Sequence, residues 1–448
     1  MSFLTASAQI PPIRQGDPKV IRGWIMYDWA NSVYQLTITT AIFPLYFLAV
    51  TMTGKSDLVQ FFGWTVRNSA LYSWTIASSY FLVAVFSPMF SSIADYTGRR
   101  KTFMKVFTWL GAIGCGMLFF FDEGTVELGV IAFALGTIGY CGSIVFYNSF
   151  LPIIAKAEDQ DRISARGYSM GYLGGVVLVL FNLLMIKKKE WFGIQDEDLA
   201  VRISFATVSL WWIGFSQITF LRLPKYTFRK EGRSGSLLGN GYSELRTVFR
   251  HVVKSRRLTI FLAGFFFMMS GLLTIMAMAT AFGKKAVGLT EDVLIPTLIL
   301  LQLVGILGAW LFARLSGRYG NISALIMTMS VWIFVCAWAY FLTSALEFVI
   351  AGGLIGFVMG GSQSLARSTY SKLLPETTDH TSFFSFYDVM EKLAMVLGTF
   401  TFGVIDSLTG NMRNCVIAIA VYFILGTIAF LRIGPSALKS RAKSPSLQ

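Results

Sequence analysis

The sequence has two histidines and four cysteines in 448 residues, and only 14% of its residues are charged. Neither histidine, His251 or His380, lies inside a long apolar run, so nothing supports a histidine proton relay in a membrane. Cys115, Cys141, Cys336 and Cys415 fall in or beside apolar runs without paired spacing, which argues against a disulfide framework and a metal site. No GxxxxGK[ST], HExxH or Cys/His array occurs, so the residues for ATP-driven pumping or metal-dependent hydrolysis are missing. No cofactor and no enzymatic activity are expected. A signal peptide is lacking too: residues 1–20, MSFLTASAQIPPIRQGDPKV, contain no apolar core of the needed length, and Arg14, Lys19 and Arg22 precede the first long run. That segment is expected to stay uncleaved and cytoplasmic.

What the chain does have is apolar length, with 54% hydrophobic residues. About 20 apolar residues cross the hydrocarbon layer as a helix, the form that satisfies its own backbone hydrogen bonds there. Twelve such runs lie at 24–50, 69–93, 101–121, 125–155, 163–186, 199–223, 257–283, 290–314, 321–344, 346–374, 382–408 and 412–433. The net charge of +14 sits in the short segments between runs, as in membrane proteins, which argues against a nucleic-acid partner. An even number of spans puts both termini on one side. Positive charge on the turn after run two, on Lys156, Arg162 and Arg166, on Arg314 and Arg318, and on the tail makes that side cytoplasmic. Lys187, Lys188 and Lys189 fall on the other side, where Glu190, Asp196, Glu197 and Asp198 nearly neutralise them.

Residues 91–101, SSIADYTGRRK, have a degenerate copy at 310–320, WLFARLSGRYG, in which Ala313, Arg314, Gly317 and Arg318 meet Ala94, Asp95, Gly98 and Arg99. Likewise FYNSFLP at 146–152 is echoed by STYSKLLP at 368–375, each with a proline ending its run. The repetition predicts two six-helix halves, 24–223 and 257–433, between a cytoplasmic segment at 1–23 and a cytoplasmic tail at 434–448. Between them, residues 224–256 are expected to be a basic cytoplasmic linker near anionic headgroups. In the turn, Gly98 allows a tight bend, and Arg99, Arg100 and Lys101 lie at headgroup level. Asp95 can accept from an arginine or from an approaching helix N-terminus. Asp95, Gly98, Arg99, Arg100, Gly317 and Arg318 are therefore candidates for a conformational latch, acid-dependent only in the first half because Arg314 stands where Asp95 does.

This turn resembles the signature of the major facilitator superfamily. More narrowly, YDWANSVYQLTITTAIFPLYF at 27–47, FYNSFLP followed by SARGYSMGYLGG at 164–175, and GGSQSLARS at 360–368 followed by FFSFYDVMEKLAMVLG at 383–398 resemble the vacuolar amino-acid effluxer family known from autophagy and its bacterial relatives. The chain departs from that pattern in run seven, with Met269 and Ser270 where many relatives carry Asn-Asp, and at Glu391, where a glycine commonly precedes the lysine. The resemblance implies an all-α integral membrane protein of twelve transmembrane helices in two pseudo-symmetric six-helix bundles. It also implies that runs one, four, seven and ten line a central path.

Polar residues within the runs are the binding candidates, because such groups are costly in hydrocarbon and face cavities or one another. Run one carries Asp28, Asn31, Gln35 and Thr39 at helical steps, a stripe that either lines a cavity or joins helices. Run four offers Tyr140, Ser143, Tyr147 and Asn148; run seven, Ser270 and Thr274; run ten, Gln363, Ser364 and Arg367. Lys392, about ten residues into run eleven and so near mid-membrane, is either a site for a substrate carboxylate or a structural partner of Asp388, with Glu391 pointing elsewhere. Asp28, Asp388 and Glu391 are the proton-coupling candidates, and Asp28 and Arg367 are alternatively a gate. Glycines 167, 171, 174 and 175, and 352, 353, 356, 360 and 361, stand at the spacing of closely packed helices.

The expected protein is thus a monomeric secondary transporter in a bacterial inner membrane, moving a small organic solute by alternating access. The resemblance suggests amino acids moving outward. The alternatives are uptake of another solute, such as a peptide fragment or chelate, and a non-transporting sensor; a membrane-embedded transferase is disfavoured by the duplicated turn.

Overall fold

The computed structural model describes residues 15–52, 56–224, 237–377 and 379–433, and the side chains of 237–245 and Glu291 are not part of that description. The first span is broken: α1 (Pro18–Val33) leads through a π-helix (Tyr34–Ala41) into α2 (Phe43–Val50), bent by 42°. After a hairpin of β1 (Leu58–Phe61) and β2 (Trp64–Arg67) come α3 (Asn68–Thr97), α4 (Arg100–Met117), α5 (Val126–Ser149), the short α6 (Leu151–Ile154), α7 (Gln160–Lys187) and α8 (Glu197–Arg222). A linker helix, α9 (Leu237–Lys254), precedes α10 (Arg256–Phe282), α11 (Glu291–Tyr319), α12 (Asn321–Ala339), α13 (Ala345–Leu373), α14 (His380–Thr409) and α15 (Met412–Leu431).

Ten of these helices are long and apolar enough to cross a membrane, and the bent first pair makes an eleventh. The twelfth span is α14, whose 30 residues suffice in length while Asp388, Glu391 and Lys392 lower its apolarity. Large side chains such as Leu221, Leu408, Leu210 and Phe400 are exposed on the outer faces, as lipid contact requires. The fold is that of an all-α membrane protein.

Two bundles pack internally and meet along matched helices. α7 packs on α11 and α13, while α14 packs on α3 and α5. Counted by span, five meets eight and ten, and eleven meets two and four, which is the same pattern exchanged between halves. A pseudo-twofold relation follows. Close approach within each half depends on glycine: a Cβ on Gly356 would run into the Leu301 backbone and one on Gly360 into that of Gly305, joining α13 to α11. In the first half the α7 glycines 167, 171 and 174 abut Asp28, Ser32 and Trp29 of α1.

Several boundaries differ from those expected. The first helix starts at Pro18, capped by the Asp17 carboxylate, inside the segment assigned to 1–23, because proline at the first turn needs no N–H partner. The linker holds the amphipathic α9, whereas 225–236 and the tail 434–448 lie outside the described residues. His380, assigned outside the runs, is the first residue of α14.

Candidate functional site

Arg367 of α13 is the centre of the junction between bundles. Its side chain is 2% exposed and reaches out of the second half into the first. Nη1 and Nη2 donate to Asp28 Oδ2 at 3.3 and 3.2 Å, Nη1 to Asn148 Oδ1 at 3.4 Å, Nε to Ser164 Oγ at 2.9 Å, and Nη2 to the Ser164 carbonyl at 2.8 Å. The Tyr147 hydroxyl donates to the same Asp28 oxygen at 2.7 Å. Above the guanidinium stand the rings of Tyr168 at 4.2 Å, Trp24 at 4.8 Å and Tyr147 at 5.5 Å. A planar fork with five donors suits this surround of acceptors and π faces. Gly167 leaves the room, since a Cβ there would collide with Asp28 Oδ2 and Arg367 Nη2.

The second cluster lies on α14. Lys392 Nζ donates to Asp388 Oδ1 at 2.9 Å, one turn away, and stands 3.7 Å from Glu391 Oε1. Glu391 therefore does not point elsewhere, as the sequence suggested: its longer side chain curls back to the ammonium. Across the bundle interface Nζ lies 5.7 Å from the Tyr80 ring of α3 and within interaction reach of the Cys141 thiol of α5. Among the described residues, the buried Asp388 Oδ2 has no hydrogen-bond partner. Two carboxylates thus share one ammonium. The arrangement weakens the reading of Lys392 as a free cation for a substrate carboxylate.

Other candidates disperse. Gln363 accepts from Tyr172 at 2.7 Å across the interface, and the Ser364 carbonyl accepts from Ser164 at 2.8 Å. Tyr140 stacks on Tyr34, their rings 5.2 Å apart, and Ser143 bonds to the Tyr140 carbonyl within α5. The run-one stripe does not hold its face. From Tyr34 the helix widens to π geometry, so Gln35 is exposed and Thr39 part-buried, while Asp28 and Asn31 stay buried. Asn31 Oδ1 accepts from its neighbour Ser32. Ser270 and Thr274 bond to carbonyls of their own helix and close on Gly398 of α14, so they pack inside the second half and do not reach the Arg367 cluster. Among the described residues no three His, Cys, Asp or Glu side chains converge on a metal-sized site. A cavity of about 80 Å³ inside the second bundle is walled almost wholly by apolar groups such as Met278, Phe282, Phe348 and Phe402, which fix no orientation for a solute.

At the turn, Gly98 adopts φ 69° and ends α3 with bonds back to the Ala94 and Asp95 carbonyls. Asp95 takes Arg100 Nε at 2.7 Å and, from the other bundle, the backbone N–H groups of Ser382 at 2.7 Å and Thr381 at 3.4 Å. A carboxylate thus sits at the N-terminus of α14, where the helix dipole and unpaired N–H groups favour it. Arg99 is exposed.

The copy in the second half differs from its expected form. Gly317 and Arg318 lie inside α11, which continues to Tyr319, and the bend falls at Gly320 with φ 90°. Arg314 and Arg318 rest on Trp310 and Tyr319 at 3.9 and 5.4 Å. An acid-centred contact exists at this turn too, because α7 of the first half supplies the carboxylate that α11 lacks. Asp161 Oδ2 accepts from Ser316 at 2.8 Å and from Lys372 Nζ at 2.7 Å, and Oδ1 accepts from Asn321 at 2.7 Å. Asp161, Ser164, Tyr168 and Lys372 were not singled out from the sequence. The SARGYSMGYLGG stretch held two of them, but a serine or tyrosine in a helix reads as packing until its partner is known.

A family model described as "Vacuole effluxer Atg22 like" matches residues 16–442. The uncharacterized MFS-type transporter YxiO of Bacillus subtilis is 29% identical over 409 residues, covering 90% of this chain and 92% of that protein. Autophagy-related protein 22 of Kluyveromyces lactis is 24% identical over 460 residues, covering 92% of each. Among solved structures, the major facilitator superfamily transporter FucP in the outward conformation aligns with a TM-score of 0.69 at 13% identity, over 93% of this chain and 99% of that one. A bacterial homologue of the iron transporter ferroportin in its outward-facing state aligns at 0.66, also at 13% identity, covering 93% and 98%.

Proposed function

Because the chain belongs to the Atg22-like vacuole effluxer family of major facilitator transporters, we propose that this secondary transporter moves a small ammonium-bearing organic solute, amino acids foremost, outward between its bundles by alternating access. One observation carries the reading. Three buried acids, Asp28, Asp95 and Asp161, each join the two bundles on the side of the 97–100 turn. Contacts of this kind close one end and must break for it to open. With that end taken as cytoplasmic by its positive charge, this reading makes the state one closed toward the cytoplasm.

In this reading the solute meets the α14 cluster at mid-membrane. Two acids facing one base favour an ammonium group over a bare carboxylate. Asp388 Oδ2, having no donor, takes either that ammonium or a proton without losing a bond, so Asp388, with Glu391, is the coupling group. Asp28 is instead occupied by three donors and serves as the gate.

The test is counterflow in proteoliposomes against amino acids, simple amines and organic acids, with and without a pH gradient. The reading expects exchange of ammonium-bearing solutes, abolished by Asp388→Ala. Asp388→Asn is expected to retain counterflow and to lose stimulation by the gradient. Exchange confined to organic acids overturns the substrate class, and no exchange with any solute favours the sensor.

A further inference from the structure

Helix α9 is absorbed by none of this. It packs on α3 of the first bundle and on α10 and α14 of the second, and so touches both helices that the Asp95 contact joins. Val248 and Val252, 1% and 6% exposed, form its inward edge, and the Phe249 ring lies tilted against that of Phe386 of α14, their centroids 6.0 Å apart. Opposite that edge, Arg246, Arg250 and Lys254 recur every four residues and are exposed, followed by exposed Arg256 and Arg257. No acid occurs from residue 246 to 257. Between the buried and basic faces Phe249 and Val253 remain 54% and 57% exposed.

An apolar edge bordered by a basic face is the form of a helix lying at headgroup level. It fits a lipid surface better than a soluble polyanion, which offers nothing for Phe249 and Val253. We propose that α9 is a binding strap for anionic phospholipid headgroups, and that their binding stabilises the state in which the turn side is closed. The basic face points away from the docked valines, so headgroups engage it while α9 still bridges α3 and α14. Separation of those two helices removes one wall of its seat. This rests on the two-state motion proposed above.

The experiment uses spin labels at Glu158→Cys and Glu376→Cys, exposed positions on the turn side of each half; the four native cysteines are buried. Distance distributions are compared in vesicles of phosphatidylcholine alone and with added phosphatidylglycerol. The expected result is a closed-to-open ratio about fivefold higher with phosphatidylglycerol, the factor for roughly one basic residue's headgroup attraction. That gain should vanish in Arg246→Gln/Arg250→Gln/Lys254→Gln and persist in Arg246→Lys/Arg250→Lys. Two populations that ignore phosphatidylglycerol, a response retained in the triple glutamine variant, or the same shift from inorganic phosphate or a short oligonucleotide in phosphatidylcholine overturn the proposal. A single population under every condition, solute included, instead overturns the two-state motion beneath it.

Discussion

Arg367 illustrates how much one side chain can hold together. Removing one partner of a buried ion pair strands the other, at a cost of about 3–5 kcal/mol; here the cost falls on the state in which α13 touches α1, α5 and α7. Arg367→Ala is therefore expected to shift the spin-label distances toward an open turn side and to stop counterflow. Adding Asp28→Asn should recover part of the shift, since the stranded charge is gone; a double variant no better than the single would mean that Asp28 is not the partner that matters. Arg367→Lys should behave like a loss, because one ammonium cannot serve Asp28, Asn148 and Ser164 while lying under three rings. Asp28, Arg367 and Lys392 were legible in the sequence because a charge in an apolar run is conspicuous. Their partners Ser164 and Tyr168 were not, since their meaning comes from a helix 200 residues away.

Among elements, the apolar runs located the spans and missed what happens at their ends and breaks. Hydropathy does not register the π-helix at Tyr34–Ala41, and it rotates the predicted stripe off its face. Nor does a motif alignment decide which of two nearby glycines turns the chain: Gly320 does so, and Gly317 stays helical because α11 can continue through it. Small-residue spacing proved more informative, and it supports a sharp test within α13. Gly356→Val places a side chain into the Leu301 backbone, an overpacking of the kind that costs about 1–3 kcal/mol, and should lower the melting temperature in detergent. Gly353→Ala, with nothing within 4 Å of its Cβ, should leave it unchanged. Equal effects would remove the close α11–α13 approach as the reason for the glycines.

For the whole molecule, the asymmetry visible in the sequence conceals a symmetry of contact. Asp95, at the end of span two, meets the start of span eleven; Asp161, at the start of span five, meets the end of span eight and the start of span nine. The two halves thus close the same pair of seams with an acid that has moved from one side of the seam to the other, which explains why Arg314 is tolerated where Asp95 stands in the other half. If both seams open in one rigid-body rocking step, their free energies add and their population ratios multiply. Asp95→Asn and Asp161→Asn should each raise the open fraction on the turn side, and the double variant should raise the open-to-closed ratio by the product of the two. Coupling energies beyond about 0.5 kcal/mol are expected only for sites that touch. A double variant no more open than either single one would mean that the seams open in separate steps, each on its own acid.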